Sequence, residues 1–347
     1  MSDKNSSSFS PLKIVQISKN NLPVPPIDYG GTERDIYYLT EELLRRGHEV
    51  ILFAKKGSKT RAKIFEYPSD NEKEQLDFII RNLPKDVDII HDHNGIVAAA
   101  NPPIPTIRNS HWKKIPKGQI PVYVSETILR TVGKEKGFYV HNGININDYK
   151  FSDKKDDYLL FIGRMSQDKG VHLAIEVAKK TGRKLILAGP QRSKKEVRYF
   201  NTVIKPKLSD RIVYIGSVGG EEKQNLLSKA YCILFPSIWN EPFGLVQIEA
   251  LACGTPVLTF KHGAAPEVLK GFPGLLCNDV GEMIEKVKSG ESFPSPTACR
   301  KYVSKHFTDK TMTDNFLKLY KTILNKNIYK IIPDSEWIKR KKKLLPK

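Results

Sequence analysis

Short apolar runs alternate with amphipathic stretches along the whole chain. Runs of strand length are nearly continuous in Val, Ile, Leu and Phe, and the stretches between them carry apolar residues at helical spacing. In the first half this pattern predicts strands at 12–17, 49–54, 87–91, 121–124 and 138–140, and helices at 32–46 and 72–82. Apolar strands that alternate with helices are typical of parallel sheets covered on both faces.

The second half repeats the alternation. It predicts strands at 158–162, 184–188, 212–215, 231–235 and 256–260, and helices at 171–181, 196–205, 220–229, 243–252 and 309–325. A polar stretch separates the halves, so we place an interdomain linker at 145–157. The sequence therefore predicts an α/β protein with two doubly wound, Rossmann-like domains that face each other across a cleft. In such sheets ligands bind beyond the carboxyl ends of the strands.

Domain boundaries follow from this alternation. We expect a disordered, Ser-rich lead at 1–10, a first domain at 11–150, a second domain at 151–310, and a C-terminal helix with a basic tail at 311–347. No apolar stretch reaches the length of a membrane-spanning helix, and the lead lacks the apolar core of a signal peptide. A cytoplasmic protein is therefore expected.

Charge and cysteine content narrow the class further. The formal net charge is +19, which suits nucleic acid, an anionic membrane face or a phosphorylated substrate as partner. The basic run from Lys339 to Lys347 is the densest part of this charge and suggests peripheral contact at the inner face of a membrane. The cysteines form no C-x-x-C pair and are expected as buried free thiols: Cys232, Cys253, Cys277 and Cys299.

Two acids bracket a turn and an apolar helical stretch near the end of the second half. Glu241 precedes Pro242, which suits the first turn of a helix, and Glu249 lies about two turns further on. Gly254 and Pro256 end the same helix. The free N–H groups at the helix start would then form an anion site suited to phosphate, with carboxylates beside it for sugar hydroxyls. This arrangement suggests the handling of a nucleotide sugar.

Two further motifs lie where predicted strands end. Arg164 and Lys169 flank a loop after the strand at 158–162 and could converge on one phosphate pair, although two solvated surface cations would give the same pattern. Gly30 and Gly31 open the helix at 32–46 and could let the backbone approach a ligand, although a plain flexible turn is equally compatible. Neither G-x-G-x-x-G nor a P-loop pattern occurs, which disfavours a dinucleotide site.

Three histidines also follow predicted strands. His91 and His93 form an H-x-H pair, but no cluster of carboxylates or cysteines accompanies them, so no metal site is expected. His111 precedes Trp112, where a sugar ring could stack. A single histidine at such a position is more often structural than catalytic, so a structural role for His111 stays an alternative to a role at the reacting sugar.

The motifs together resemble those of the family 4 glycosyltransferases, which have the two-domain GT-B fold. The likeness runs over about 12–324. The segment EPFGLVQIEALACGTPV is similar to the family's E-x7-E signature, with Glu241 and Glu249 as its acids. FIGRMSQDKG resembles the G-R-x(4)-K-G segment, and DYGGTERDIYYLTEELLRRGHEVILFA resembles the N-terminal glycine loop and first helix. In YVHNGININDY, Asn145 stands where the family usually has Asp.

The resemblance implies a hexosyltransferase that moves a sugar from a nucleoside diphosphate donor with retention, without a tightly bound metal or other cofactor. The acceptor would be a glycan, a glycolipid or another component of envelope polysaccharide synthesis. The C-terminal segment would cross back to the first domain. Carried over by motif, Arg164 and Lys169 would neutralise the leaving diphosphate, and Gly30 and Gly31 would close on it. The donor contacts and the N-domain histidine complete the implied set: Glu249 on the ribose, Glu241 on the sugar, the backbone of Phe243, Gly244 and Leu245 on sugar and phosphate, and His111 near the reacting carbon.

Two alternatives remain at this point. A nucleotide-sugar epimerase would keep the fold and change the reaction. A non-catalytic, basic scaffold or nucleic-acid-binding protein would keep only the architecture, and its binding would be salt-dependent. The presence of both glutamates, Arg164, Lys169 and the glycine pair argues against such degeneration, so no nucleic acid partner is expected.

Overall fold

The computed structural model describes residues 10–116 and 118–325, which form two parallel sheets. Of the expected lead only Ser10 is among the described residues, and the basic run from Lys339 to Lys347 lies outside them. The prediction of two doubly wound, Rossmann-like α/β domains is confirmed, because every paired strand of both sheets is parallel and helices connect them.

The first sheet has seven strands in the spatial order β3-β2-β1-β4-β5-β6-β7. Its elements in chain order are β1 (Lys13–Ile17), α1 (Gly31–Arg45), β2 (Glu49–Ala54), β3 (Lys63–Glu66), α2 (Glu72–Asn82), β4 (Ile89–Asp92), α3 (Ile96–Ala100), β5 (Thr106–Ser110), β6 (Ile120–Tyr123), α4 (Glu126–Thr131) and β7 (Phe138–Tyr139). The strand order reverses between β1 and β4, which opens a crevice at the carboxyl ends of these strands.

The second sheet repeats the arrangement with six strands in the order β10-β9-β8-β11-β12-β13. Its elements are β8 (Tyr158–Ile162), α5 (Val171–Thr181), β9 (Lys184–Ala188), α6 (Lys194–Tyr199), β10 (Ile212–Tyr214), α7 (Gly220–Lys229), β11 (Cys232–Phe235), α8 (Leu245–Ala252), β12 (Val257–Phe260), α9 (Ala265–Val268), β13 (Leu276–Cys277), α10 (Val280–Ser289), α11 (Pro296–His306) and α12 (Asp309–Asn325). The reversal lies between β8 and β11, opposite the crevice of the first sheet.

Most predicted elements are present. Seven have the predicted bounds: 49–54, 72–82, 158–162, 171–181, 184–188, 220–229 and 309–325. Their strands are apolar apart from Glu49 and Lys184 at two of the starts, and capping residues mark helix ends, such as Asn71 before α2 and Gly182 after α5. Strong periodicity and capping residues therefore located these elements from the sequence alone.

Two predicted helices differ from the structure. The helix predicted at 243–252 begins at Leu245, because Gly244 adopts a left-handed conformation with φ +83°. Pro242 therefore lies in the preceding loop and not in the first helical turn. The helix predicted at 196–205 is interrupted: α6 ends at Tyr199, a π-helical turn follows, and Pro206 then lies in a short 3₁₀ turn.

Several elements of the structure have no counterpart among the predicted ones. Strands β3, β5 and β13 and helices α3, α4, α9, α10 and α11 were not predicted. Strand β5 has the sequence TIRNS, with a single aliphatic residue, yet it lies inside the sheet between β4 and β6. Its pairing with two neighbours, and not its own apolar pattern, makes it a strand.

The last described helix packs against the first domain. Arg46 at the end of α1 contacts Asp314 of α12 at 2.5 Å between Nη1 and Oδ1. Further along α12, the Tyr320 hydroxyl lies 2.8 Å from Nδ1 of His91 in β4. The chain thus returns from the second sheet to the first, and α12 connects the two domains.

A carboxylate of the second domain holds a helix of the first. Glu267 in α9 accepts hydrogen bonds from the backbone N–H groups of Glu126 and Thr127 at 2.8 and 2.9 Å, and from the Thr127 hydroxyl at 2.7 Å. It also pairs with His141. Beside it, the Ser125 hydroxyl donates to the carbonyl of Pro242 at 2.7 Å. These contacts fasten α4 to the second domain on one side of the cleft.

Two further predictions concern the cysteines and the possibility of a membrane-spanning helix. The four cysteines are buried free thiols, as predicted. Among the described residues, no helix is both long and apolar enough to cross a membrane.

Candidate functional site

A cavity of about 370 Å³ lies between the two domains, where both sheets present the carboxyl ends of their strands. Its wall from the first domain includes the glycine loop before α1 and His111 after β5. Its wall from the second domain includes Gly163 after β8, Lys169, and the segment that leads into α8. Most of the residues predicted from separate motifs therefore meet in one place.

Glu249 lies on the buried face of α8, at the wall of this cavity. Its Oε1 atom accepts hydrogen bonds from Lys223 Nζ at 2.7 Å and from the Tyr149 hydroxyl at 3.0 Å. The Arg34 Nε atom lies 4.0 Å from the same oxygen. All three contacts meet Oε1, so they fix the carboxylate by one oxygen only.

The surroundings of Glu249 keep it ionised. Burial alone would raise its pKa, but Lys223 and Arg34 and the hydrogen bonds hold the pKa below its ordinary value. Burial lowers the pKa of Lys223, an effect that the Glu249 charge partly opposes. For Arg34, burial alone would lower the pKa, but Glu249, Tyr149 and Tyr38 together outweigh it, and the pKa is raised. A charged glutamate with two cations is therefore maintained away from bulk water.

Glu241 lies in the loop before α8 and is also buried. Its Oε1 atom pairs with Nζ of Lys169 and accepts a hydrogen bond from Ser237 Oγ at 2.9 Å. Lys169 ends a 3₁₀ turn, and Gly170 follows with φ +71° and starts α5. The acid and the cation from two separate motifs thus lie side by side at the cavity wall.

Arg164 occupies a different position from Lys169. Its Nη1 atom contacts Glu196 at 2.5 Å, and its Nη2 atom contacts Asp168 at 3.1 Å. Unlike Lys169, its side chain does not form part of the cavity wall. The convergence of Arg164 and Lys169 on one phosphate pair stays a prediction, since it would require Arg164 to leave these carboxylates.

The glycine loop contacts the second domain directly. A Cβ atom on Gly31 would lie 3.4 Å from Leu245 Cδ1, at the start of α8. A Cβ atom on Gly30 would lie 2.7 Å from Cβ of Pro26, so this position has no room for a side chain. Arg192 reaches across the cleft and donates to the carbonyl of Tyr29 at 2.6 Å. The loop is therefore held against both domains.

The start of α8 combines a buried aromatic side chain with a half-buried glycine turn. Phe243 is buried, and Gly244 takes the left-handed conformation that turns the chain into the helix. The Gln247 side chain donates to the carbonyl of Phe243 at 2.8 Å. Phe243, Gly244 and Leu245 all line the cavity, and the positive end of α8 is directed to the same space.

His111 lines the cavity from the first domain, with Nε2 at 3.2 Å from the Thr32 hydroxyl. Burial, with a smaller contribution from Lys19, lowers its pKa to about 4. His111 is therefore neutral at pH 7 and can either donate or accept one hydrogen bond at each ring nitrogen.

The H-x-H pair has a different environment. His91 and His93 are buried and stacked, with ring centroids 3.9 Å apart, and His91 binds the Tyr320 hydroxyl. Burial lowers the pKa of His91 to about 3 and that of His93 well below its usual range. Both are neutral, and His91 helps to hold α12 on the first sheet. Within residues 10–116 and 118–325 no group of three or more His, Cys, Asp or Glu side chains could hold a metal ion.

Several site residues had not been identified from the sequence. Lys223 lies in a charged, ordinary-looking helix, and nothing in the pattern links it to Glu249. Arg34 and Asp35 belong to the glycine-loop motif, and their position right after the helix start was the available signal. Asp35 is buried, and neither of its carboxylate oxygens has a hydrogen-bond partner among the described residues.

Comparison with known proteins finds similarity to glycosyltransferases. The family model of the group 1 glycosyl transferases matches residues 145–303. The chain is 29% identical over 203 residues to the O-antigen chain mannosyltransferase RfbU of Salmonella typhimurium, covering 56% of this chain and 57% of that protein. It is 28% identical over 180 residues to the putative glycosyltransferase YtcC of Bacillus subtilis, covering 49% and 40%. The chain spans about half the length of the curated relatives it matches.

Solved structures extend the likeness to both domains. AviGT4, a glycosyltransferase involved in avilamycin A biosynthesis, superposes with a TM-score of 0.77 at 26% identity, covering 91% of this chain and 99% of that one. HepE of Anabaena in complex with UDP-glucose superposes with a TM-score of 0.72 at 17% identity, covering 90% and 100%, and shows the common fold. These findings support a place for the chain in the GT-B glycosyltransferase superfamily.

Proposed function

We propose that this chain is a retaining hexosyltransferase of the family 4 type. It transfers a sugar from a nucleoside diphosphate donor to a glycan, a glycolipid or another envelope acceptor. The observation that carries the proposal is the arrangement of Glu241 and Glu249. Side chains of the protein bind each carboxylate through its Oε1 atom. Glu241 lies in the loop before α8, Glu249 lies within α8, and both line the interdomain cavity.

This arrangement suits the two polar ends of a nucleotide sugar. The second oxygen of Glu249, Oε2, is assigned to the ribose hydroxyls, since the contacts from Lys223, Tyr149 and Arg34 all meet Oε1. The second oxygen of Glu241 is assigned in the same way to hydroxyls of the donor sugar. A carboxylate that is fixed through one oxygen is oriented in advance and loses little further freedom when it binds a ligand.

Positively charged groups of the site can stabilise the negative charge that develops in the reaction. Breaking the bond between the anomeric carbon and the diphosphate builds negative charge on the leaving group. Lys169 and the N-terminus of α8 lie at the cavity wall, where they can stabilise that charge without a metal ion. Gly30 and Gly31 provide a close backbone approach from the other domain, and neutral His111 is assigned to the region of the reacting carbon.

Replacement of Lys169 tests the proposal. A panel of UDP-, GDP- and ADP-sugars is first screened by thermal stabilisation, where a ligand at one hundred times its Kd adds about 2.7 kcal/mol. With the donor so identified, Lys169→Ala is expected to reduce turnover at least about tenfold, because one lost transition-state contact of about 1.4 kcal/mol is a factor of ten. Product analysis separates transfer from epimerisation of the donor sugar.

Three controls accompany this experiment. Lys180→Ala removes an exposed lysine of α5 outside the cavity and is expected to keep full activity. Because Lys169→Ala leaves the buried Glu241 without its cation, the variant's melting temperature and circular dichroism are measured alongside, and Lys169→Arg keeps the charge. Undiminished transfer by folded Lys169→Ala would refute the assignment.

Peripheral membrane contact is a separate part of the proposal. The basic run from Lys339 to Lys347 would bind acidic headgroups, with about 1 kcal/mol for each cation near such a surface. Removal of residues 339–347 is expected to weaken sedimentation with liposomes that contain anionic lipid and to leave donor binding unchanged. Equal sedimentation of the truncated and complete chains would contradict this hypothesis.

A further inference from the structure

A second and larger cavity adjoins the first. Its volume is about 1100 Å³, and its lining comes from the first domain apart from Arg192. The two cavities meet beside the residues that belong to both walls, which are Lys19, Asn21, Leu22, His111 and Arg192. In the proposed function, this is the direction from which an acceptor hydroxyl would reach the donor sugar.

The lining of the larger cavity is predominantly basic. It contains five cationic side chains, at Lys19, Lys55, Arg108, Lys113 and Arg192, and two acidic ones, at Asp70 and Glu72. One of the acids is already engaged, since Asp70 accepts a hydrogen bond from the Asn20 amide at 2.7 Å. An excess of positive charge that lines a cleft attracts an anion more strongly than the same cations on a flat surface.

The cationic side chains of this cavity differ in whether protein groups already bind their N–H donors. Arg108 donates to the Gln119 side chain at 2.9 Å, Lys55 to the carbonyl of Asn20 at 3.2 Å, and Arg192 to the carbonyl of Tyr29. The ammonium of Lys113, in contrast, lies 5.0 Å from the ring centroid of its neighbour Trp112. A lysine over an indole ring keeps its N–H donors for a ligand, because the ring does not accept all of them.

The mouth of the cavity carries an exposed aromatic pair that spans the cleft. Trp112 of the first domain is 53% exposed, and Trp239 of the second domain is 44% exposed. Their ring centroids are 6.4 Å apart at an angle of 83°. Exposed indole faces beside polar groups suit a ligand with an apolar face and a wet edge, as a pyranose ring has.

The wall of the same cavity contains a residue with a buried acceptor that has no hydrogen-bond partner among the described residues. Asn109 is buried, and its Oδ1 atom has no hydrogen-bond partner among the described residues. A buried acceptor of this kind costs free energy until a donor reaches it. This oxygen is itself shielded from the cavity, so a sugar hydroxyl would bind it after a rotation of the Asn109 side chain, whereas an inorganic anion offers fewer such donors.

From these observations we infer that the acceptor is a saccharide that carries a negative charge, either a phosphate or a carboxylate. Its charged group contacts Lys113 and Lys19, a sugar ring packs on Trp112, and a hydroxyl donates to Asn109. The inference rests on the proposed function for the identity of the neighbouring donor cavity. The anionic character of the acceptor depends on the larger cavity alone.

The experiment compares three matched probes on the complete chain: methyl glucoside, methyl glucuronide and methyl glucoside 6-phosphate. Binding is measured by isothermal titration at low and high salt. We expect at least one of the two anionic probes to bind about tenfold more tightly than the neutral one, as one charge-assisted hydrogen bond allows. The difference is expected to shrink as salt screens the charges. The two anionic arms distinguish a carboxylate from a phosphate.

Variants locate the binding. Lys113→Glu is expected to remove the preference for the anionic probe, and Trp112→Ala to weaken all three probes. Lys114→Glu is the matched control, because Lys114 is the exposed next residue and lines neither cavity. Inorganic phosphate alone is expected to bind more weakly than the phosphorylated glucoside, and equal affinity would overturn the saccharide part.

The outcomes separate this inference from the proposed function. If UDP, GDP and ADP stabilise the protein but neither anionic probe binds more tightly than methyl glucoside, only the acceptor inference is overturned. If none of the nucleotides binds, the proposed function fails whatever the probes do. Retention of the anionic preference in Lys113→Glu would also overturn the inference, since the charge would then be recognised elsewhere.

Discussion

At the scale of single residues, the site contains two buried carboxyl groups with different surroundings. Glu249 is buried with two cations nearby and stays ionised. Asp35 is buried close to Arg34, but its oxygens have no hydrogen-bond partner among the described residues. Burial therefore raises the pKa of Asp35 well above its usual range, and the nearby charges of Glu249 and Glu33 act in the same direction. A hydrogen-bonded carboxylate and an unpaired one thus line the same cavity.

Asp35→Asn tests this difference. A carboxyl whose pKa is raised on folding binds its proton more tightly in the folded state, so the free energy of unfolding falls as pH rises above its unfolded pKa. We expect Asp35→Asn to stabilise the protein at pH 7, because an amide is neutral at every pH and removes the cost of holding a proton or a charge on the buried carboxyl, about 1.4 kcal/mol for each unit by which folding raises its pKa. The gain should disappear as the pH is lowered toward 4.

Urea denaturation across this pH range measures the effect of Asp35→Asn. Asp210→Asn provides the comparison, because Asp210 is exposed and remote from the cavity. A pH profile of Asp35→Asn that parallels the profile of the wild-type protein would show that Asp35 does not retain its proton in the folded state.

At the scale of elements, several helices depend on residues outside them. The short helix α4 has its own Ser125 cap, with Oγ accepting from the N–H of Ile128 at 3.2 Å. Its remaining N-terminal N–H groups at Glu126 and Thr127 are bound by Glu267 from the other domain. An anion at a helix N-terminus also interacts favourably with the helix dipole. A helix of six residues would be marginal alone, so this contact helps to define it.

Glu267→Gln is expected to lower the free energy of unfolding by about 1 to 3 kcal/mol at pH 7, because it removes a charged acceptor of several hydrogen bonds. Burial alone would raise the pKa of Glu267, but the bonds from His141, Thr127 and Glu126 lower it from 4.5 to about 2. The contribution is therefore present above the unfolded pKa and is lost as the pH falls from about 4.5 toward 2.

The difference in the free energy of unfolding between the wild-type protein and Glu267→Gln should accordingly be constant near neutral pH and become smaller in acid. Thermal unfolding at a series of pH values tests this, with Glu285→Gln on the exposed side of α10 as control. Equal melting temperatures of Glu267→Gln and the wild-type protein at pH 7 would mean that water replaces the carboxylate without cost.

At the scale of the whole molecule, the two domains are joined on one side and meet across a cleft on the other. The joined side has Glu267 on α4 and α12 on the first sheet, where Arg46 contacts Asp314 and Tyr320 contacts His91. On the cleft side, Arg192 and Leu245 reach the loop that contains Gly31. A molecule joined on one side can open on the other, so a donor site completed by both domains would form on closure.

The sequence by itself determined the two doubly wound sheets, the seven elements with the predicted bounds, and the motif residues around Glu241 and Glu249. It could do so because apolar periodicity, caps and turn residues act within a few positions of the chain. Tertiary structure alone decided that Lys223 and Tyr149 bind Glu249, that Arg164 faces Glu196 and not the cavity, and that TIRNS forms an inner strand. These contacts join positions far apart in the chain, and only the packing of two domains brings their charges and backbone groups within hydrogen-bonding distance.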